Sequence, residues 1–291
     1  MNRIKNLLVG VDLSDGARAA LQHALRIAEQ NRAVLHLMHV IDRAAVDELA
    51  AALHTSPARQ RAGAVTSGRA ELVRWLDPFH LPETSRTEVT VGAPVEALLG
   101  RAREVAADLV VVGAQGDNVQ SPQAGSFAVQ ILRRSPVKVL LVDSTHTRPF
   151  RTIVACVDFT PAAREVVEQV KRLASLRASR VDFLHVYNPP WHRLRHVMPA
   201  LSVSAELQEQ YLRMLERQLE DFVGEMPGVQ ARRVLHESPA HRSGIANYAK
   251  LHDADLIVLA TKTQAASDAT SGASTAERLV RELPCSVLAV K

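Results

Sequence analysis

Short apolar runs alternate with longer segments of helical periodicity along the whole chain. Ile4–Val11 is an apolar run of strand length. Ala17, Ala20, Leu21, Ala24, Leu25 and Ala28 then recur at helical spacing, after Ser14 and Asp15, residue types that cap a helix start. Val34–Ile41 predicts a second strand. Residues 44–76 are Ala-rich and predict helix, interrupted near Pro57 and Gly63. A short strand is expected over Thr87–Val91, a helix from Gly92-Ala93-Pro94 to about Ala107, and a buried strand over Leu109–Val112. A glycine-bearing loop, a helix over Ser126–Arg134 and a last strand over Val137–Val142 close this stretch.

The second half repeats the order. Strands are predicted over Thr152–Val157, Val181–Tyr187, Val229–Leu235, Leu256–Ala260 and Ser286–Val290, with helices near 161–176, 203–223, 240–251 and 274–282. In the helix near 203–223, Leu207, Tyr211, Met214, Leu215, Leu219 and Phe222 form one apolar stripe. Strands alternating with helices of this length give parallel sheets covered on both faces.

The repetition extends to individual residues. Val9-Gly10-Val11-Asp12 returns 146 positions later as Ala155-Cys156-Val157-Asp158, and His39-Val40 as His185-Val186. Ala107-Asp108-Leu109 returns as Ala254-Asp255-Leu256, and Ser126 and Pro136 as Ser274 and Pro284. An internal repeat of this length means two copies of one domain. The expected domains are 1–145 and 150–291, joined by the short polar segment Ser144–Arg151. Each is expected to be an α/β, doubly wound, five-stranded parallel-sheet domain of Rossmann-like form. Ligands of such sheets bind beyond the carboxyl ends of the strands, where strand order reverses. Asp12, Val40 and the loop after Val112 are expected to converge there.

Composition narrows the function classes. Of 291 residues, 35 are Lys or Arg and 31 Asp or Glu, and the excess of +4 is spread without a basic block, which disfavours nucleic acid as a partner. No apolar segment approaches the length of a membrane span, and the N-terminus lacks a signal-peptide pattern. The two cysteines, Cys156 and Cys285, fit a reducing compartment, so the expected location is cytoplasmic.

The loop Gly113-Ala114-Gln115-Gly116, followed by eight residues and then Gly125-Ser126, carries the chemistry. Glycines let backbone N–H groups approach a phosphate without a Cβ in the way. A helix N-terminus offers unpaired N–H donors and partial positive charge. The glycines equally fit two ordinary turns. Asp12 can accept from a ribose hydroxyl or help cap the following helix. No lysine lies between Gly113 and Ser126, so the cradle would be mostly backbone.

These motifs together resemble the universal stress protein family, in tandem form, over essentially the whole chain. The family pattern is a first strand ending in Asp, a second ending in His-Val, Ala-Asp-Leu-hydrophobic-hydrophobic-Gly, and a spaced glycine signature before the last helix. Here these stand as Val11-Asp12, His39-Val40, Ala107 to Gly113, Gly116, Gly125 and Ser126. The resemblance implies an ATP site, with or without magnesium, in the first half. Val11, Asp12 and Val40 would hold ribose and adenine, Val40 through its backbone. Gly113, Gln115, Gly116, Gly125, Ser126 and the Phe127 backbone would line the phosphate path. One departure is that Gly116 and Gly125 are separated by eight residues where the family's ATP-binding pattern has nine. The resemblance also implies strand order 3-2-1-4-5 and pairing of the two domains through their last strands as a pseudo-dimer, with a homodimer of chains compatible with it. In that order the two cysteines are two strands apart, about 9–10 Å, too far for a disulfide.

The second half keeps Asp158 and Val186, but Ala260, Thr263 and Ala273-Ser274 replace the glycine positions, and Gly272 comes one position early. That site is expected to be degenerate. His192 and His196 have i, i+4 spacing but lie between Pro190 and Pro199 without a nearby acid, a poor metal site. His39 and His185 are expected to be hydrogen-bonded core residues at the sheet end. The segment Asn188–Leu201, with Trp191, Val197 and Met198, reads as a loop over the sheet end, or as a lid over an apolar pocket. The resulting expectation is a stress-response protein that binds adenine nucleotide in its first domain and is not an enzyme. The alternative is a nucleotide-free scaffold or apolar-ligand binder.

Overall fold

The computed structural model describes residues 4–114, 126–175, 179–194, 198, 202–261, 275–282 and 284–291. The chain divides into two compact units, Met1–Arg148 and Pro149–Lys291. Unit 1 runs β1 (Asn6–Val11), α1 (Asp15–Asn31), β2 (Val34–Asp42), α2 (Arg43–Ala52), α3 (Pro57–Leu76), β3 (Arg86–Gly92), α4 (Pro94–Glu104), β4 (Leu109–Gly113), α5 (Ser126–Arg134) and β5 (Lys138–Val142). Unit 2 runs β6 (Thr152–Cys156), α6 (Pro161–Ser175), β7 (Arg180–Tyr187), α7 (Pro190–Leu194), α8 (Ala205–Val223), β8 (Gln230–Glu237), α9 (His241–Leu251), β9 (Leu256–Ala260), α10 (Thr275–Glu282) and β10 (Ser286–Val290).

Unit 1's strands lie in the order β3-β2-β1-β4-β5, and unit 2's in the matching order β8-β7-β6-β9-β10. The ladders within each unit are parallel. The central strands are apolar on both faces because helices cover both. Leu7, Leu8, Val9, Val110, Val111 and Leu141 are fully buried, as are Ile257, Val258, Val287 and Val290 in unit 2. Each unit therefore has the doubly wound order that places a switch point between its first and fourth strands.

Asp108 and Asp255 explain why Ala-Asp-Leu occurs twice. The Asp108 Oδ2 accepts from the backbone N–H of Lys5 at 2.6 Å and of Asn6 at 3.0 Å. The Asp255 Oδ2 accepts from Arg151 N–H at 2.7 Å and Thr152 N–H at 2.8 Å. Each carboxylate thus binds the start of its unit's first strand to the start of the fourth. Charge-assisted bonds of this type are among the stronger ones in a fold.

Several local expectations are corrected. Gly63 does not interrupt the helix: α3 runs through it from Pro57, with nothing within 4 Å of where its Cβ would stand. The stretch after Asn188 contains a short helix, α7, rather than loop alone. On α8 only part of the expected stripe is buried: Leu215 and Leu219 face the core, joined by Val223 from outside the stripe, while Leu207 and Met214 are 56% and 50% exposed. The β7 run contains a buried charge. Asp182 is fully buried and accepts from Arg232 at 2.7 and 2.6 Å and from the Tyr248 hydroxyl at 3.0 Å. The start of the joining segment is tied to α1, through Arg26 donating to the Thr147 carbonyl at 2.6 Å and the His23 ring lying 3.0 Å from the His146 carbonyl. Both cysteines are free thiols, with β9 between the strands near them.

Candidate functional site

The register of unit 1 brings the predicted residues to one level. Val11 pairs with His39, and Val9 with Val111, so Gly113 lies level with Val11. Asp12, Val40 and Ala114 then stand one step beyond, at the carboxyl edge where β1 adjoins both β2 and β4. Gly113 ends β4, and Ser126 begins α5.

Asp12 is exposed, and its Oδ1 accepts from both the hydroxyl and the backbone N–H of Ser14. Ser14 is the N-cap of α1, its Oγ accepting from Ala17 N–H at 3.1 Å. Asp12 is therefore not the cap but the brace that orients it. Leu13 between them has φ +66°, a left-handed conformation costing about 1–2 kcal/mol for a side chain of this kind. Unit 2 repeats the turn: Asp158 Oδ1 accepts from Thr160, and Phe159 has φ +61°. In both units the turn holds one carboxylate oxygen just beyond the end of the first strand.

The two His-Val histidines are structural. His39 Nδ1 donates to the Val11 carbonyl at 2.7 Å, and His185 Nδ1 to the Val157 carbonyl at 2.8 Å. Burial pushes the His185 imidazole below its ordinary range, which fixes it as a neutral donor. Val157 N–H donates to Leu184 O at 2.9 Å. Because backbone groups alternate sides along a strand, Val186 presents its N–H and C=O to the same side as Leu184, beyond the end of β6. The matched register, Val11 with His39, gives Val40 the same aspect in unit 1. Val40 can therefore offer one donor and one acceptor to a planar heterocycle.

Gly113 has a second role that its place in a glycine motif conceals. A Cβ there would meet the Gly16 backbone carbon at 2.8 Å, its carbonyl oxygen at 3.0 Å and Ala17 N at 3.2 Å. Glycine at 113 lets the first turn of α1 lie directly on the end of β4. Of the other predicted residues, Val11 is buried and Phe127 half-buried. Gln115, Gly116 and Gly125 lie outside the described residues, as does the Ser126 side chain, and so do Thr263, Gly272, Ala273 and Ser274 of unit 2.

Elsewhere, His192 Nδ1 lies 3.3 Å from Glu237, so an acid does stand beside it, although no group of three metal-ligating side chains occurs among the described residues. His196 and Val197 lie outside those residues. Trp191 of α7 packs edge-on against Tyr211 of α8, with ring centroids 5.2 Å apart. No helix among the described residues is long and apolar enough to cross a membrane.

A doubly wound sheet with the same strand order in each unit defines a tandem α/β protein, and in unit 1 the switch point is edged by Asp12, Val40 and Gly113. The universal stress protein family model matches residues 3–143 and again 149–291, and the chain belongs to that family. A Staphylococcus epidermidis protein assigned to the same family is 31% identical over 168 residues, covering 55% of this chain and 95% of the relative. A Staphylococcus aureus relative is 30% identical over 142 residues, covering 47% and 83%. Among solved structures, a universal stress protein from Archaeoglobus fulgidus superposes with a TM-score of 0.63 at 16% identity, covering 98% of both chains. One from Pseudomonas aeruginosa UCBPP-PA14 gives 0.64 at 19% identity, covering 99% of this chain and 93% of that one. These likenesses agree with the fold.

Proposed function

We propose that unit 1 binds an adenine nucleotide, ATP, at the carboxyl edge of its sheet, and that the protein is a nucleotide-responsive regulator rather than an enzyme. The observation that carries this is the convergence of Asp12, Val40 and Gly113 at the carboxyl edge of the sheet, within one residue step of each other in register. Asp12 would accept from the ribose hydroxyls with the carboxylate oxygen that Ser14 does not use. Val40 would read the adenine edge with its backbone. Gly113, Gln115, Gly116, Gly125, Ser126 and the Phe127 N–H would line the phosphates, with the start of α5 adding partial positive charge.

Two facts fit this assignment. The Asp12 carboxylate is exposed and pre-oriented by Ser14, so little order is lost on binding. The loop from Gly113 to Ser126 carries no lysine, so a backbone cradle suits binding better than phosphoryl transfer. Unit 2 keeps the Asp158 turn but has Ala260 in the place of Gly113, and in this account the edge of its sheet holds no nucleotide. The test is calorimetric titration of nucleotide-free protein with MgATP, together with an assay of phosphate release. The expected result is one equivalent bound with turnover at background. Absence of an ATP equivalent that depends on Gly116 and Gly125, or steady turnover, would overturn the assignment.

A further inference from the structure

Unit 2 carries a groove on its helical face. It lies between α6 and α8, with a volume of about 730 Å³, within the range of roughly 300–1,000 Å³ usual for small-molecule sites. Three guanidinium groups line it: Arg164 from the first turn of α6, and Arg213 and Arg217, one helical turn apart on α8. Met214 and Phe222 supply an apolar margin, and Asp221 is an acid in the lining.

The two copies of the fold show what has changed. Arg164 lies over the Phe222 ring, 4.8 Å from its centroid, as Arg18 lies over Trp75 at 5.1 Å in unit 1. Aligning these pairs places Leu219 and Val223 on Leu72 and Leu76, buried in both copies. The residues then matching Arg213, Met214 and Arg217 are Thr66, Ser67 and Ala70. The packing face is kept, while the outer face has gained two cations and an exposed methionine.

The cations are available to a ligand. Among the described residues Arg217 has no ion-pair partner. Arg213 pairs with Glu209 at 2.6 Å, both side chains more than half exposed, an exchangeable surface pair of small net value. Arg164 stands at a helix start, where the helix dipole adds to its positive potential. Guanidinium groups match phosphate oxygens in pairs.

We propose that the α6–α8 groove of unit 2 binds the oligophosphate group of a small molecule, at a site separate from the one in unit 1. The shared chemistry is a chain of phosphates, free or carried by a nucleotide. The full-length protein would be titrated calorimetrically with inorganic tripolyphosphate, beside the exposed-site variant Arg213→Gln/Arg217→Gln and the unit 1 variant Gly116→Ala/Gly125→Ala. Loss of two charge-assisted contacts should weaken tripolyphosphate by at least about tenfold in the arginine variant. Its thermal midpoint and the glycine variant's tripolyphosphate affinity should be unchanged. A second ATP equivalent lost only in the arginine variant would identify a nucleotide as the carrier; tripolyphosphate without that second equivalent would identify the free anion. Equal affinity in wild type and arginine variant, no binding by wild type at millimolar probe, or loss only in the glycine variant would overturn the proposal. Failure of the unit 1 site would appear instead as loss of the ATP equivalent sensitive to Gly116 and Gly125.

Discussion

Gly113 touches Gly16 backbone to backbone: a Cβ on Gly113 would stand 2.8 Å from the Gly16 carbonyl carbon and 3.0 Å from its oxygen. The residue that opens the glycine loop is thus also the one on which α1 seats. Backbone is in the way, and no flexible side chain can move aside. Gly113→Ala should therefore lower the stability of unit 1 by about 1–3 kcal/mol, the usual cost of overpacking. Urea unfolding monitored by Trp75 fluorescence measures it. Ala260 occupies the matching place in unit 2, so Ala260→Gly should gain nothing comparable.

Asp108 and Asp255 predict a matched pair of effects. Each accepts two backbone N–H bonds, one exposed and one partly buried. Asp108→Ala and Asp255→Ala should each cost about 1.5–3 kcal/mol. The Asp108 variant should act on unit 1 and the Asp255 variant on unit 2. Limited proteolysis that releases the opposite, intact unit in each case checks the assignment.

His36 predicts acid sensitivity. It is buried on β2, and burial first, then the nearby Arg101 and Arg86, push its imidazole below the ordinary 6.5. Two acids also face this cluster, Glu88 and Glu104, which pair with Arg101 at 3.0 and 3.1 Å. A lowered folded-state pKa means the unfolded chain takes up the proton first as pH falls. Stability is then full above the ordinary imidazole range and declines below it. His185, also shifted down, adds the same sign in unit 2. Urea midpoints from pH 8 to pH 5.5 should fall, and His36→Leu should flatten the dependence. An unchanged slope in that variant would remove His36 as the cause.

Gly63 predicts a gain. It is exposed in the interior of α3 with nothing within 4 Å of its Cβ position. Gly63→Ala should stabilise unit 1 by about 0.5–1 kcal/mol by lowering the entropy lost on forming the helix. A thermal melt reads it directly.

How much of this was legible depended on whether the signal was local. The alternation of strands and helices, and the strand order implied by the family likeness, follow from runs such as Leu109–Val112 and from the Asp12 and His39-Val40 landmarks, which sit at strand ends. The histidines' structural role was legible for the same reason. Asp108 was visible as a repeated residue, but its partners Lys5 and Asn6 are about a hundred positions away, and sequence spacing carries no such distance. The same holds for Gly113 against Gly16, for Glu237 beside His192, and for Asp182, whose charge is balanced by Arg232 from the next strand. Gly63 was misread because a glycine in a helix looks like a stop unless the flanking turns hold it. The α8 stripe departs from the structure at Leu207 and Met214 because apolar spacing shows which residues lie near one face, not where around the helix the core ends: Met214 is exposed beside buried Leu215.

The central claim is that a single nucleotide site lies at Asp12, Val40 and the glycine loop of unit 1. Its most direct test is calorimetric titration of nucleotide-free protein with MgATP for wild type, Gly116→Ala/Gly125→Ala, Asp12→Ala and Asp158→Ala. The account predicts high-affinity binding of one equivalent in wild type and in Asp158→Ala, abolished in the glycine variant and weakened about tenfold or more in Asp12→Ala. Absence of that equivalent in wild type, or its persistence in the glycine variant with loss in Asp158→Ala, would contradict it.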